Sequence, residues 1–393
     1  MAGNGYIKSL DGVRAFAILL VMSLHSGVTW FGWIGVQLFF VLSGFLIGGI
    51  LWRDRAAEGG VGFKLKKFWV RRALRIFPLY FGYLTALTLV YLCVHYPDAL
   101  KRYLPYLLTY TYNFTRTFTG WKWYPAFTHF WSLCIEEQFY LFFPLFILFC
   151  NGRVVRIVMI AAVFAAPLIR WGLGQHFMHA GLSGDALMDV VYWHPLSHLD
   201  AFFMGALIHV LSLDKRVRRP QWLVGIAFLI AVLAGVAEFV THGAGRDYLT
   251  DLGYRIGESG SYEYVWQYSC LNFAFASVIL LLVSDSVRGR YLRLRRLLES
   301  RILVSIGRVS YGMYIFHWLV WSFIFKPYAD VRGYYFKPLV YLPFVLLVYL
   351  VATVSFRYYE SFFIGLKDRF FPRPEIAAKK KADVAQAENS LGV

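Results

Sequence analysis

Ten stretches of this 393-residue chain stay apolar for about twenty residues each, the length a helix needs to cross the hydrocarbon core of a bilayer. They run 12–30, 32–52, 74–95, 128–150, 154–172, 195–213, 221–241, 264–284, 303–325 and 336–357. The blocks are too long for barrel strands and do not alternate with a period of two, which argues against a transmembrane barrel. Charged residues make up 16% of the chain, where a soluble protein carries about a quarter. The fold class predicted is therefore all-α: a polytopic integral membrane helical bundle of about ten transmembrane helices. The segment 100–118 is amphipathic and aromatic, too polar for a span, and reads as interfacial or re-entrant. The first apolar block lacks a small-residue cleavage site and runs on into the second, so it is expected to be retained.

Lysine and arginine set the orientation. With the N-terminus inside, 28 of the 40 fall in inner segments, 9 in outer ones, and Arg14, Arg170 and Arg308 lie within or at the ends of spans. That bias predicts both termini to be cytoplasmic. It also accounts for most of the net charge of +17, which is topological and lipid-facing and does not indicate nucleic-acid binding. Residues 1–365 read as one transmembrane domain. Residues 366–393, with Pro372, Pro374 and the run Lys379–Lys381, read as a disordered basic cytoplasmic tail able to touch anionic lipid. Cys93, Cys134, Cys150 and Cys270 stand singly in apolar spans without metal-ligand spacing; they read as core residues, and no metal site is predicted.

The stretch Leu10 to Leu46 organises the chain. It reads as two spans joined by a Gly-rich turn, with Arg14 and His25 in the first. Eleven helical residues advance three turns plus roughly 20°, so the two lie on one stripe about 16 Å apart. A polar stripe facing lipid costs several kcal/mol, so this one should face protein or a wet cavity. The alternative is an arginine snorkelling at the inner face and a histidine hydrogen-bonded in the bundle.

Other polar groups interrupt the apolar background. Arg71, Arg72 and Arg75 open the third span, Arg72 and Arg75 sharing a face. They serve either as a positive-inside anchor or as a clamp on the phosphates of a nucleotide-bearing donor. Glu136 and Glu137 sit inside the fourth span, where a carboxylate costs a few kcal/mol unless paired or protonated. At least one should face a cavity, with Glu136 favoured. His198 and Asp200 open the sixth span as either a helix cap or a substrate contact. His317 lies among aromatics in the ninth and reads first as structural. Asp11 and Ser43 complete the candidates for cavity or acceptor contacts.

Some patterns carry less. His209 and Asp214 fit a His-x4-Asp acyltransferase pattern, but no Gly-rich phosphate motif follows. Gly44-x3-Gly48 supports close helix contact. Asn113-Phe114-Thr115 is a glycosylation sequon, useful only in a eukaryote.

Taken together, LDGVRAFAILLVMSLH, GVQLFFVLSGFLI, RRALRIFPLY, WSLCIEEQFYLFFPL, HLDAFFMGALI and SIGRVSYGMYIFHWLV resemble membrane acyltransferase family 3, in the family's order, from about residue 8 to 360. Members O-acylate sugars, polysaccharides, lipids and some antibiotics. The resemblance implies an acyl-CoA co-substrate, commonly acetyl-CoA, reached from the cytoplasm, with no permanently bound cofactor. It implies a multi-pass protein of the cell (inner) membrane acting on a glycan, glycolipid or other hydroxylated acceptor. It implies that the Arg-x10-His pair, here Arg14 and His25, is needed for activity, and it puts the family's Arg-x-x-Arg pair on Arg72 and Arg75. The chain departs at His198, where the family usually has Arg. Some members carry an appended extracytoplasmic hydrolase-like domain, which this chain is expected to lack.

Acyl transfer suits these residues. An acceptor hydroxyl needs a general base in the transition state, and neutral histidine serves near neutral pH. His25, nearer the outer end of its span, is the candidate base or acyl carrier. Arg14 and Glu136 are the candidate supporting groups, and Arg71, Arg72 and Arg75 hold the donor. The competing class is a transporter or flippase of a lipid or polysaccharide precursor with the same buried charges; no internal repeat supports it.

Overall fold

The computed structural model describes residues 6–93, 97–242, 254, 262–287, 289–332 and 337–371, and every regular element among them is helical. The main helices are α1 (Lys8–His25), α2 (Ile34–Ala56), α3 (Val61–Cys93), α4 (Pro97–Leu108), α5 (Trp131–Phe149), α6 (Gly152–His179), α7 (Gly184–Tyr192), α8 (Leu199–Val210), α9 (Pro220–His242), α10 (Glu263–Val283), α11 (Arg301–Arg308), α12 (Ser310–Val320), α13 (Lys337–Ser355) and α14 (Ser361–Phe370). Short helical turns connect several of them.

Seven helical stretches among the described residues are long and apolar enough to cross a membrane: Phe31–Ala56, Val61–Cys93, Thr128–Phe149, Gly152–His179, Pro220–Thr241, Glu263–Val283 and Lys337–Lys367. This is a multi-pass membrane protein. The other three stretches read as spans from the sequence are built differently. Helix α1 has 18 residues and carries Lys8, Asp11 and Arg14 in its first two turns. The stretch 195–213 begins as a 3-10 turn, Pro195–His198, which leaves α8 only 12 residues. The stretch 303–325 breaks at Val309 between α11 and α12 and then widens into a π-helical turn, Trp321–Phe325. Length and apolarity alone therefore support seven of the ten as crossing helices, and the other three differ from them in build. The physical reason is burial. Asp11 in the first turn of α1, and Asp200 and His317 within the other two stretches, are all packed inside protein, where a helix need not be apolar along its length.

The same logic sorts the helices by position. In α2, 72% of the apolar window is buried, against 17% in α6, so α2 is central and α6 peripheral. Glycines let α2 and α8 touch backbone to backbone. A Cβ on Gly44 would lie 2.0 Å from the Phe202 carbonyl oxygen, and one on Gly205 would lie 2.0 Å from that of Val41. This small-residue contact is the one that the Gly44/Gly48 spacing suggests.

The segment 100–118 forms α4 and the 3-10 turn Tyr112–Thr117. Leu100, Tyr103 and Leu107 bury one face of α4 while Lys101 and Arg102 stay exposed, the pattern of an amphipathic helix laid on the bundle. At the other end, α14 continues to Phe370; residues 372–393, including Lys379–Lys381, lie outside the described residues.

Candidate active site

A cavity enclosing ≈ 880 Å³ of empty space, open solvent at its mouth included, brings together Arg14, Ser43, Arg72, Arg75, Glu136 and Glu137 from α1, α2, α3 and α5. Helical spacing explains why. Arg72 and Arg75 are one turn apart on α3, and Glu136 and Tyr140 one turn apart on α5, so each helix presents a stripe to the same space.

Within it, Glu136 is held firmly. The hydroxyls of Ser43 and Tyr140 both donate to its Oε1. The Arg72 guanidinium lies 5.2 Å from the centre of the Tyr140 ring, a cation–π contact. Neither Arg72 nor Arg75 has a hydrogen bond or ion pair among the described residues, although Glu360, in the π-helical turn Phe356–Glu360, acts on Arg75 electrostatically. Arg14 differs. Its Nη1 donates to Asp11 Oδ1 at 2.5 Å, and the Tyr6 hydroxyl donates to the other Asp11 oxygen. Arg308 Nε in turn donates to the Tyr6 oxygen at 3.2 Å. Desolvation, then the Asp11 carboxylate, raises the Tyr6 phenol above its ordinary pKa, so it stays a donor. Asp11 thus fixes Arg14 and does not itself line the cavity. Arg71 turns away: its Nη2 donates to the Phe371 carbonyl at 3.1 Å, outside the cavity lining.

The cavity ends at Ser132 and Tyr314, whose hydroxyls lie 2.5 Å apart. The Tyr314 hydroxyl also donates to the His129 carbonyl at 2.8 Å. Beyond this wall stands His25, which does not line the cavity. Its Nδ1 lies 2.7 Å from His317 Nε2, and its ring stacks on Trp318 at 4.5 Å. The other nitrogen of His317, Nδ1, lies 2.7 Å from the Tyr314 carbonyl oxygen. His25 Nε2 has no hydrogen-bond partner among the described residues. Trp123, itself exposed, meets Trp318 edge-on at 4.9 Å, so the aromatic wall beside His25 reaches the surface.

His198 and Asp200 belong elsewhere. Asp200 accepts from Arg170 Nη1 at 3.1 Å, from Ser269 at 2.6 Å and from Asn272 at 3.1 Å. Arg170 spends its remaining donors on the Val265 and Ser197 carbonyls and on Ser269. His198 pairs with Gln37 at 3.1 Å and with the Tyr192 carbonyl at 2.6 Å. Arg170, Asp200 and His198 are buried and bonded, and these contacts tie α6, α8 and α10 together away from the cavity lining.

Sequence reasoning singled out neither Tyr140, Ser132, Tyr314 nor His129, although the first three lie in the quoted motifs and His129 stands two residues before one. His129, buried beside His317 at 4.9 Å, has no hydrogen-bond partner for either ring nitrogen among the described residues. The partnership of Arg170 and Asp200 had a readable signal: an isolated arginine and an isolated aspartate in apolar spans each need an opposite charge.

Fold and site define a multi-pass helical membrane protein built around a charged internal cavity. The chain belongs to the acyltransferase domain family, family 3, which matches residues 7–358. It is 27% identical over 397 residues to the O-acetyltransferase OatA of Staphylococcus aureus strain MRSA252, and equally to that of strain NCTC 8325 / PS 47. Each match covers 97% of this chain and 60% of the relative, so the chain spans about three fifths of the relatives' length. No solved structure matches it.

Proposed function

We propose that this protein is an O-acyltransferase of the cell membrane, moving an acyl group, in the first instance acetyl, from cytoplasmic acyl-CoA to a hydroxyl of a glycan or glycolipid. The observation that carries the reading is the pair of guanidiniums, Arg72 and Arg75, that have no hydrogen bond or ion pair among the described residues and share one cavity with the fixed Arg14 and Glu136. Two arginine forks whose N–H groups have no partner among the described residues, in a cavity between packed helices, suit the phosphates of a CoA ester. Family membership and relatives named as O-acetyltransferases support the chemistry.

In this reading ten segments cross the membrane, both termini are cytoplasmic, and the donor binds from the inner side. Its thioester extends past Tyr314, one turn before His317 on α12, to His25. The acceptor hydroxyl attacks the acyl carbon while His25 Nε2 takes its proton. The new C–O bond forms, the C–S bond breaks, and the proton passes from His25 to the departing CoA thiolate, leaving ester and free thiol. The same nitrogen can instead carry the acyl group through an acyl-histidine, with thiol released before the acceptor attacks. Glu136 holds the cationic wall in register through Tyr140.

The test is transfer of label from acetyl-CoA in membranes containing the protein. His25→Ala should leave a folded, inserted protein whose transfer falls by at least about a hundredfold, the lower end of what loss of a general base costs. Near-wild-type transfer by His25→Ala would rule this mechanism out.

A further inference from the structure

The pair His25–His317 has a proton arrangement that its neighbours dictate. The Tyr314 carbonyl has no proton to give, so the 2.7 Å contact to it requires His317 Nδ1 to carry one. A neutral His317 then presents a bare Nε2. The 2.7 Å contact between that nitrogen and His25 Nδ1 needs a single proton, which must come from His25. A neutral His25 is left with a bare Nε2, the nitrogen without a partner.

We infer that His317 is the positioning residue of the reaction: through the chain Tyr314 carbonyl–His317–His25 it holds His25 in the Nδ1–H tautomer and aims its Nε2 lone pair at the acceptor. This inference rests on the acyl-transfer reading above. It assigns His317 a task that a histidine merely filling an aromatic stripe would not have. Packing alone would be satisfied by one bond to the backbone, whereas His317, with no exposed surface, spends its second nitrogen on His25. The ring of His25 is held on two sides, by that bond and by Trp318, so the geometry is set before substrate arrives. The arrangement fills the place that a carboxylate fills in a serine-protease triad, where the orienting group fixes the tautomer of the base. A neutral orienter adds no charge to the membrane interior. When His25 takes the acceptor proton on Nε2, its Nδ1–H keeps its bond to His317 Nε2. The added charge is thereby shared across two rings until the thiolate removes the proton.

Two readouts test this on the full-length protein in lipid bilayers. The first is the nitrogen-15 spectrum of labelled histidine, with the His25 signals assigned by their loss in His25→Ala. Wild-type protein should show His25 protonated at Nδ1 and bare at Nε2, and His317→Phe, which keeps a flat ring without nitrogens, should lose that preference. The second is steady-state transfer from acetyl-CoA. His317→Phe should lower kcat by roughly tenfold or more, short of the ~10⁴ that a wrong tautomer costs in a serine-protease triad, with the donor KM unchanged. His317→Gln can turn a carbonyl oxygen toward His25 and should recover part of the loss. A wild-type His25 protonated at Nε2, or a His317→Phe protein with unchanged kcat, overturns the inference. If His317→Phe fails to fold, the wild-type spectrum alone decides. If His25→Ala still transfers acetyl groups, the acyl-transfer mechanism fails, and the spectrum still reports separately whether His317 sets the tautomer.

Discussion

Arg170 and Asp200 form an ion pair at 3.1 Å in which neither side chain has exposed surface. Every donor group of Arg170 has an acceptor, so the pair is a satisfied fastening between α6 and α8 that also grips α10 through the Val265 carbonyl. Removing one partner leaves a buried charge alone, which costs about 3–5 kcal/mol. Arg170→Met and Asp200→Leu should each lower the melting temperature of the detergent-solubilised protein sharply. The double variant should lose less than the sum, because no orphan charge remains.

The donor arginines should separate by function. Arg72→Ala and Arg75→Ala should mainly raise the KM for acetyl-CoA, with kcat largely recovered at high donor. Arg71→Ala should leave the donor KM where it was, since Arg71 is engaged on the Phe371 carbonyl outside the cavity. A fall in kcat at unchanged donor affinity in the first two variants would contradict a phosphate clamp.

Glu136→Gln keeps the size of the side chain and an oxygen for Ser43 and Tyr140 but removes the carboxylate charge from the cavity that Arg72 also lines. A folded protein with weak transfer is expected in the labelled acetyl-CoA assay. Full activity would shift the role to Glu137, which lines the same cavity.

Gly205 permits the close passage of α8 over α2. Gly205→Ala would place a methyl 2.0 Å from the Val41 carbonyl oxygen, where only backbone movement can relieve the clash. Overpacking of this kind costs about 1–3 kcal/mol, sometimes more. Thermal unfolding should show it, whereas Gly172→Ala, inside α6 and with no atom within 4 Å of the added Cβ, should cause no destabilisation.

Reporter fusions at Val393 and between Ala180 and Ser183, the turn joining α6 to α7, should report opposite sides of the membrane. The same side for both would refute the proposed topology.

Much of this protein was legible one helix at a time. Apolar run length identified a polytopic helical membrane protein. Helical spacing put Arg72 beside Arg75, and the cost of a carboxylate in a span marked Glu136. These inferences use neighbours along one chain segment, where helix geometry gives direction. Of the ten predicted stretches, two are interrupted by turns and α1 carries three charges in its first two turns, differences hidden from hydropathy, which cannot tell a helix sheathed in lipid from one sheathed in protein. Contacts across helices were beyond sequence alone. Packing turned Arg71 toward Phe371, gave Asp200 to Arg170 and seated His317 against His25. Each of those outcomes depends on which of several compatible partners is within hydrogen-bond reach once the helices have docked. Distance in space decides that, and periodicity along the chain does not.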